Sequence, residues 1–157
     1  MYSAKIIASR FIQKGIDEGN AVTQMKLQKL IYFAHGLFLA DGQGPLVIEK
    51  FEAWKYGPVL PSLYQDFKLY GSDAIKDETM LNLFNNHKFL LAKNISSDAS
   101  SMIDEVWNLL KDVDAVELSA MTHETNSPWS NHYKPGRNEI IPNEELQTYF
   151  KQFIKES

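Results

Sequence analysis

The sequence contains no cysteine and no long apolar run. The absence of cysteine excludes a disulfide framework and a thiolate metal site. The longest apolar stretches are far shorter than the roughly 20 residues that a membrane-spanning helix needs. Arg10 and Lys14 also interrupt the region where a signal peptide would carry its apolar run. We therefore expect a cytoplasmic location and no membrane partner.

The sequence also lacks an excess of basic residues, with 16 Lys and Arg against 20 Asp and Glu and a formal net charge of -4. Affinity for DNA or RNA depends largely on cations that neutralise phosphates. No run of Lys or Arg compensates for the acidic balance. We therefore expect no nucleic-acid partner.

The remaining composition is that of an ordinary globular protein, with 44% hydrophobic and 23% charged residues. A chain of 157 residues is long enough to bury one continuous core. The sequence shows no internal repeat and no composition boundary. It predicts a single domain over residues 1–157.

Apolar spacing predicts helices through most of the chain. The helix over 24–40 is apolar on most sides, which is typical of a central, buried helix, and Thr23 is its expected N-cap. Gly36 lowers the helix propensity of this segment and so indicates that another element packs closely against it. The other predicted helices cover 4–18, a stretch after Pro61, 77–91, the region around 103–113, 114–123 and the segment from Asn143.

Two segments are expected to be extended. Residues 46–56 alternate large and polar side chains and predict a strand that Gly57-Pro58 breaks, and 139–141 predicts a second, short strand. Residues 94–101 are predicted as a polar link and 124–137 as a loop. The fold class that follows is mainly α, a compact single-domain helical fold with one small two- to three-stranded β-sheet.

Catalytic patterns are missing. Neither the zinc-binding spacing His-Glu-x-x-His nor the nucleophile pattern Gly-x-Ser-x-Gly occurs, and Ser62 and Ser119 lie within predicted helices. His35 is expected to be a buried or half-buried, hydrogen-bonding residue, and His123 to cap the end of its helix. We predict no catalytic residue, no metal and no cofactor. A hydrolase centred on His123 is the alternative.

Aromatic residues are concentrated in or beside the irregular regions of the chain. Trp and Tyr offer a large contact area at low entropic cost and are enriched at interface hot spots. A strand that crosses a helical core also needs large side chains to fill its corner. For Trp54 both a core position and an interface position therefore stay open. The residues concerned are Trp54, Tyr56, Tyr64, Trp129 and Tyr133.

Three segments together carry a family resemblance: Met25–Gly36, Phe51–Pro61 with Leu63-Tyr64, and Leu118–His123 followed by Ser127–Trp129. Their order and spacing resemble the SocA-like antitoxins, the Panacea domain family, which is associated with phages and mobile elements. The resemblance extends from about residue 5 to residue 154. The motif positions that it marks as structural are Lys26, Leu27, Gly36, Gly57, Pro58 and Pro61.

This resemblance implies a bacterial or phage antitoxin that neutralises its cognate protein toxin by direct contact, without catalysis. In some members of the family the antitoxin also presents its toxin to a cellular protease, which makes a protease the second partner to consider. We expect Tyr64, Trp129 and Tyr133 to be exposed. The toxin-binding neighbourhood that we predict consists of Trp54, Tyr56, Tyr64, His123, Trp129 and Tyr133.

Overall fold

A computed structural model describes residues 1–76, 90–91 and 93–154. The predicted fold class, mainly α with one small sheet, is confirmed. Most of the predicted helix over 77–91 lies outside the described residues. The elements are α1 (Ala4–Asp17), α2 (Gln24–Ala40), β1 (Glu52–Trp54), β2 (Gly57–Val59), α3 (Pro61–Phe67), α4 (Ser97–Leu110), α5 (Ala115–Thr122), α6 (Pro128–His132), β3 (Glu139–Ile140) and α7 (Asn143–Phe150), with 3-10 turns at Lys68–Tyr70 and Lys151–Phe153.

The helix α2 lies at the centre of the molecule, as predicted. It packs against α1, α4, α5 and α7 and against strand β2. Its N-terminus is fixed by the expected cap, since the Thr23 hydroxyl accepts from the backbone N–H of Lys26 at 3.2 Å. The buried apolar side chains of all these elements form one cluster around α2. These elements are therefore positioned by the helix that they cover.

The sheet is antiparallel, in the order β2-β1-β3. Glu52 pairs with Val59 and Trp54 with Gly57, so β1 and β2 form a hairpin. The prediction that Gly57-Pro58 breaks the strand is wrong, because these residues begin the returning strand and the chain reverses just before them. Gly57 has a φ of 121°, which a residue with a side chain rarely adopts. The glycine therefore makes the reversal.

The strand predicted over 46–56 is also shorter than expected, since only Glu52–Trp54 joins the sheet. The backbone N–H groups of Leu46 and Val47 instead donate to His35 Nδ1, at 3.2 and 3.3 Å. Val47 makes an isolated parallel bridge with Tyr2. In this part of the chain the backbone groups are bonded to the His35 side chain and to the N-terminal segment. They therefore do not extend the sheet.

Two predicted irregular segments contain helix. The polar link over 94–101 ends early, because the Ser96 hydroxyl accepts from Ala99 N–H at 3.1 Å and α4 begins at Ser97. The loop over 124–137 contains α6, which the Ser127 hydroxyl caps by accepting from Ser130 N–H at 3.1 Å. Both helices start with the serine caps that the sequence displays. The predicted helix around 103–113 was started too late because the first turns of α4 are mostly polar, and α6 was missed because five residues are too few for an apolar stripe.

Three buried polar side chains of α2 bind the backbone around the hairpin. Gln28 holds Leu60 from both sides, since its Oε1 accepts from Leu60 N–H at 2.8 Å and its Nε2 donates to Leu60 O at 3.1 Å. Lys29 Nζ donates to Pro58 O at 3.2 Å. His35 is the third. The hairpin and its flanks are thus attached to the central helix through hydrogen bonds as well as apolar contact.

Gly36 is the point of closest approach between α2 and α7. A Cβ at this position would lie 2.2 Å from Cδ2 of Phe150. Real Cβ atoms do not approach a carbon atom so closely. The close packing that the sequence indicates for Gly36 is therefore confirmed, and its partner is the buried ring of Phe150.

We predict that Gly36→Ala lowers the free energy of unfolding by about 1–3 kcal/mol, because the added methyl group displaces Phe150. Phe150→Leu in the same chain should recover part of the loss, so that the double variant is more stable than the sum of the two changes predicts. Urea unfolding of the four proteins measures this. A Gly36→Ala variant that is stabilised by its better helix propensity would contradict the close packing.

His35 is fully buried and hydrogen-bonded, as predicted. Its Nδ1 accepts from two backbone N–H groups, so in the neutral ring the proton is on Nε2, which donates to Asn143 Oδ1 at 2.9 Å. A second ring proton would be on Nδ1, where it would point at the two backbone N–H groups that donate to this atom. Burial is the main cause that lowers the pKa of His35 to about 4, with the charge of Lys50 adding to it and the bond to Asn143 opposing it.

The pKa of His35 predicts acid sensitivity. Below pH 6.5 the unfolded chain binds a proton at this residue, whereas the folded chain does so only near pH 4. Stability therefore falls between these values, by about 3 kcal/mol at the lower end. Denaturant unfolding at pH 6.5, 5 and 4 should show this loss, and the pH dependence should be smaller by that amount in His35→Asn. Equal slopes in the two proteins would refute the assignment.

Candidate protein-binding site

An open cleft of about 550 Å³, here called the hairpin cleft, lies between the hairpin and the central helix. Its size is in the range of sites that bind ligands or protein side chains. One wall is the first half of α2, the other is the hairpin with α3, and the end is closed by residues from two turns. Its lining residues are Thr23, Gln24, Met25, Gln28, Lys29, Trp54, Lys55, Tyr56, Val59, Tyr64, Gly71, Ser72 and Ala115.

Three of the predicted aromatic residues line this cleft. The half-buried rings of Trp54 and Tyr64 meet edge to face, with centroids 5.1 Å apart. The Trp54 Nε1 donates to Glu52 Oε1 at 3.0 Å. Tyr56, at the turn of the hairpin, is 59% exposed, and Lys55 Nζ lies 5.4 Å from the centre of its ring. Trp54 is thus half-buried in the cleft wall, intermediate between the core position and the interface position that the sequence left open.

The other three predicted residues form a stack behind the hairpin. The rings of His123 and Trp129 are parallel within 13° at 3.8 Å, and those of Trp129 and Tyr133 within 12° at 4.7 Å. The stack is joined to the hairpin because Trp129 Nε1 donates to Trp54 O at 2.6 Å. The six residues are therefore close in space, although four elements and their loops supply them.

The expectation that Tyr64, Trp129 and Tyr133 are exposed is wrong, because each is half-buried. Tyr64 packs on Trp54, and the other two rings stack on each other. Their contacts support the hairpin from both sides. Tyr56 is the member of the predicted set that is mostly exposed.

The sequence suggested that His123 caps the end of its helix, but its side chain does not do so. Its backbone N–H donates to Ala120 O at 3.1 Å, whereas the ring stacks on Trp129 and the buried Nε2 has no hydrogen-bond partner among the described residues. Burial, followed by the nearby charge of Lys29, lowers the pKa of His123.

Lys29 is a residue of this site that the sequence reading missed. Its side chain is in the cleft wall and is only 1% exposed, and its Nζ binds the carbonyl of Pro58. Burial lowers the pKa of Lys29 to about 8. A Cβ on Gly57 would lie 2.7 Å from Lys29 Cε, so the glycine leaves room for this side chain. The signal was present, since a lysine in the middle of a helix that is apolar on most sides has little exposed surface to occupy.

We predict that the buried charge of Lys29 lowers the free energy of unfolding at neutral pH. The unfolded chain keeps this proton up to about pH 10.5, while the folded chain releases it above about pH 8, so stability rises with pH between these values. Lys29→Met removes the effect. We expect this variant to be at least as stable as the parent at pH 7, with its advantage shrinking by about 3 kcal/mol towards pH 10.5. Denaturant titrations of the parent and of Lys29→Met at the two pH values test this prediction. A Lys29→Met variant that is unfolded at pH 7 would contradict it and show that the fold requires the charge.

The motif residues occupy packing positions. Leu27 is fully buried, and Lys26 Nζ donates to Lys111 O, just beyond the end of α4. A cation at the carbonyl end of a helix is favourable. Burial lowers the pKa of Lys26, and the acidic groups of Asp112 and Asp114 oppose that shift. Pro61 is at the first turn of α3, where its missing N–H costs nothing.

A second apolar depression, here called the terminal groove, was not predicted. It has a volume of about 690 Å³ and lies between α2, α4 and the end of α7. Leu109 and Phe153 on its walls are 71% and 55% exposed. The groove lacks a buried cation. Its lining residues are Phe33, Leu37, Val106, Leu109, Leu110, Met121, Glu124, Thr125, Asn126, Tyr149, Phe150, Gln152 and Phe153.

Two further properties concern the described residues alone. They contain no group of three or more His, Asp or Glu side chains arranged to hold a metal ion. None of the helices that they form has the length and apolar character needed to cross a membrane.

Comparison with known proteins identifies the family. Residues 27–130 match the family model described as "Antitoxin SocA-like, Panacea domain". The chain belongs to this family. It is also 33% identical over 131 residues to Antitoxin SocA of Caulobacter vibrioides (strain NA1000 / CB15N), an alignment that covers 80% of this chain and 68% of that protein. No solved structure matches the chain. Membership supports an antitoxin role, and an antitoxin implies a toxin as partner.

Proposed function

We propose that this SocA-like protein neutralises a protein toxin by binding it directly, without chemistry of its own. The observation that carries the proposal is the open cleft beside the exposed hairpin tip, where the rings of Trp54 and Tyr64 pack edge to face in the wall and Tyr56 is exposed. Membership in an antitoxin family supports the role. The hairpin cleft and the exposed ring of Tyr56 form the binding surface in this proposal.

The geometry suits a binding surface because its support is rigid while its outer edge is free. Trp54 is held by Tyr64 on one side and, through its carbonyl group, by Trp129 on the other. Anchors that are already ordered lose little conformational entropy when a partner binds. Tyr56 then provides the large, exposed aromatic contact that is typical of a hot spot.

Binding explains this face better than hydrolysis does. The ring of His123 stacks on Trp129 and its buried Nε2 has no hydrogen-bond partner among the described residues, an arrangement that supports packing more than proton transfer. A binder of this size needs about 1,600 Å² of total buried surface for a stable complex. The net charge of -4 would accelerate association with a basic toxin.

The direct test is co-expression with the neighbouring open reading frame of the source genome. That frame is induced alone and together with this protein, growth is scored, and a tagged copy of this protein is recovered. Rescue with a stoichiometric complex supports neutralisation by binding. Rescue in which the toxin disappears indicates delivery to a cellular protease instead. A harmless neighbour and no recovered partner would refute the proposed pairing.

We predict that Tyr56→Ala weakens toxin binding at least tenfold, because it removes an exposed aromatic anchor, and that the fold is unaffected. Leu109→Ala is the matched control: it also truncates an exposed apolar side chain, but in the terminal groove. Its effect on affinity should be less than twofold. Calorimetric titration of the purified toxin measures both. The reverse order of effects would move the binding surface to the terminal groove.

A further inference from the structure

The wall of the hairpin cleft includes a buried lysine, Lys29, whose charge has no matching anion among the described residues. Lys29 is 1% exposed, and the ion pairs that the described residues form do not include it. An ammonium group has three N–H donors. The one acceptor that the described residues offer to Lys29 is the carbonyl oxygen of Pro58, at 3.2 Å. The group therefore has unused hydrogen-bonding capacity and an uncompensated charge.

The same cleft contains an unused acceptor. Gln24 Nε2 donates to Gly71 O at 3.3 Å, but the buried Oε1 of Gln24 has no donor among the described residues. Lys29 and Gln24 both line the cleft, whose walls are otherwise mainly aromatic and aliphatic. A ligand that fits this pattern offers a carboxylate to the cation, an N–H group to the amide oxygen and apolar surface to the walls. A peptide segment with an acidic side chain has all three.

We propose that the hairpin cleft binds an aspartate or glutamate side chain of the toxin, within an otherwise apolar segment, with the carboxylate on the ammonium of Lys29. This inference rests on the proposed function. The free protein already bears the cost of removing Lys29 from water. An arriving carboxylate therefore gains its attraction to the cation without a new desolvation cost on the antitoxin side. An entirely apolar segment would leave the buried charge unpaired.

The test is a selection from displayed heptapeptides whose central residue is limited to Asp, Glu, Asn or Gln and whose other positions are random. The full chain is the bait, as the parent, as Lys29→Met, as Lys29→Gln and as Lys68→Met. Lys68 is an exposed lysine outside the cleft, so Lys68→Met changes the net charge equally. Lys29→Gln keeps a hydrogen-bond donor without the charge. Circular dichroism establishes that each variant is folded.

We expect acidic central residues to be enriched at least tenfold over the amides by the parent and by Lys68→Met, and not by either Lys29 variant. The selected peptide should also shift the indole N–H resonance of Trp54 in the labelled parent protein. No preference for acids over amides in the parent would overturn the inference. An acid preference that survives in both Lys29 variants would do so as well.

Co-expression separates this inference from the proposed function. If the parent rescues growth and Lys29→Met rescues equally well, the carboxylate site is refuted while the antitoxin role stands. If rescue is lost in Lys29→Met and retained in Lys68→Met, the carboxylate site and the antitoxin role both stand. If the parent itself does not rescue but the peptide selection favours acids, the antitoxin role fails and the ligand class of the cleft is retained.

Discussion

The fold depends on one set of interactions, the hydrogen bonds that buried polar side chains of α2 make to the backbone of the hairpin and of the segments on either side of it. Gln28 binds both polar groups of Leu60, and His35 accepts from the N–H groups of Leu46 and Val47. A sheet whose strands have three or two residues is not stable alone. These bonds attach it to the central helix, and they satisfy backbone groups that burial would otherwise leave unpaired.

This arrangement also decides where the candidate site can lie. The first half of α2 both anchors the hairpin and lines the cleft, so the cleft has a rigid wall on the helix side. The second wall is held from outside, where Trp129 donates to the carbonyl oxygen of Trp54. The exposed element is the hairpin tip with Tyr56. Exposed tips on rigid scaffolds are where binding surfaces commonly lie.

The sequence predicted what apolar periodicity and capping encode. The central helix, its Thr23 cap and the close contact at Gly36 were all readable, because each has a local signal. The hairpin was misread because three-residue strands give no periodic pattern, and Gly57-Pro58 is typical of a break. The stacking of His123 on Trp129 was unpredictable for another reason: it depends on where two helices place their ends, which no local spacing records.

The buried residues of α2 provide an internal comparison for Lys29. Gln28 uses both ends of its amide on Leu60, and His35 uses both ring nitrogens, so each is explained by the fold. Lys29 binds one carbonyl oxygen, a task that a neutral donor performs without the cost of burying a charge. The fold alone therefore accounts for a donor at this position but not for a cation. An anion that enters the cleft with the partner accounts for the charge, because the desolvation already present in the free protein then contributes to affinity.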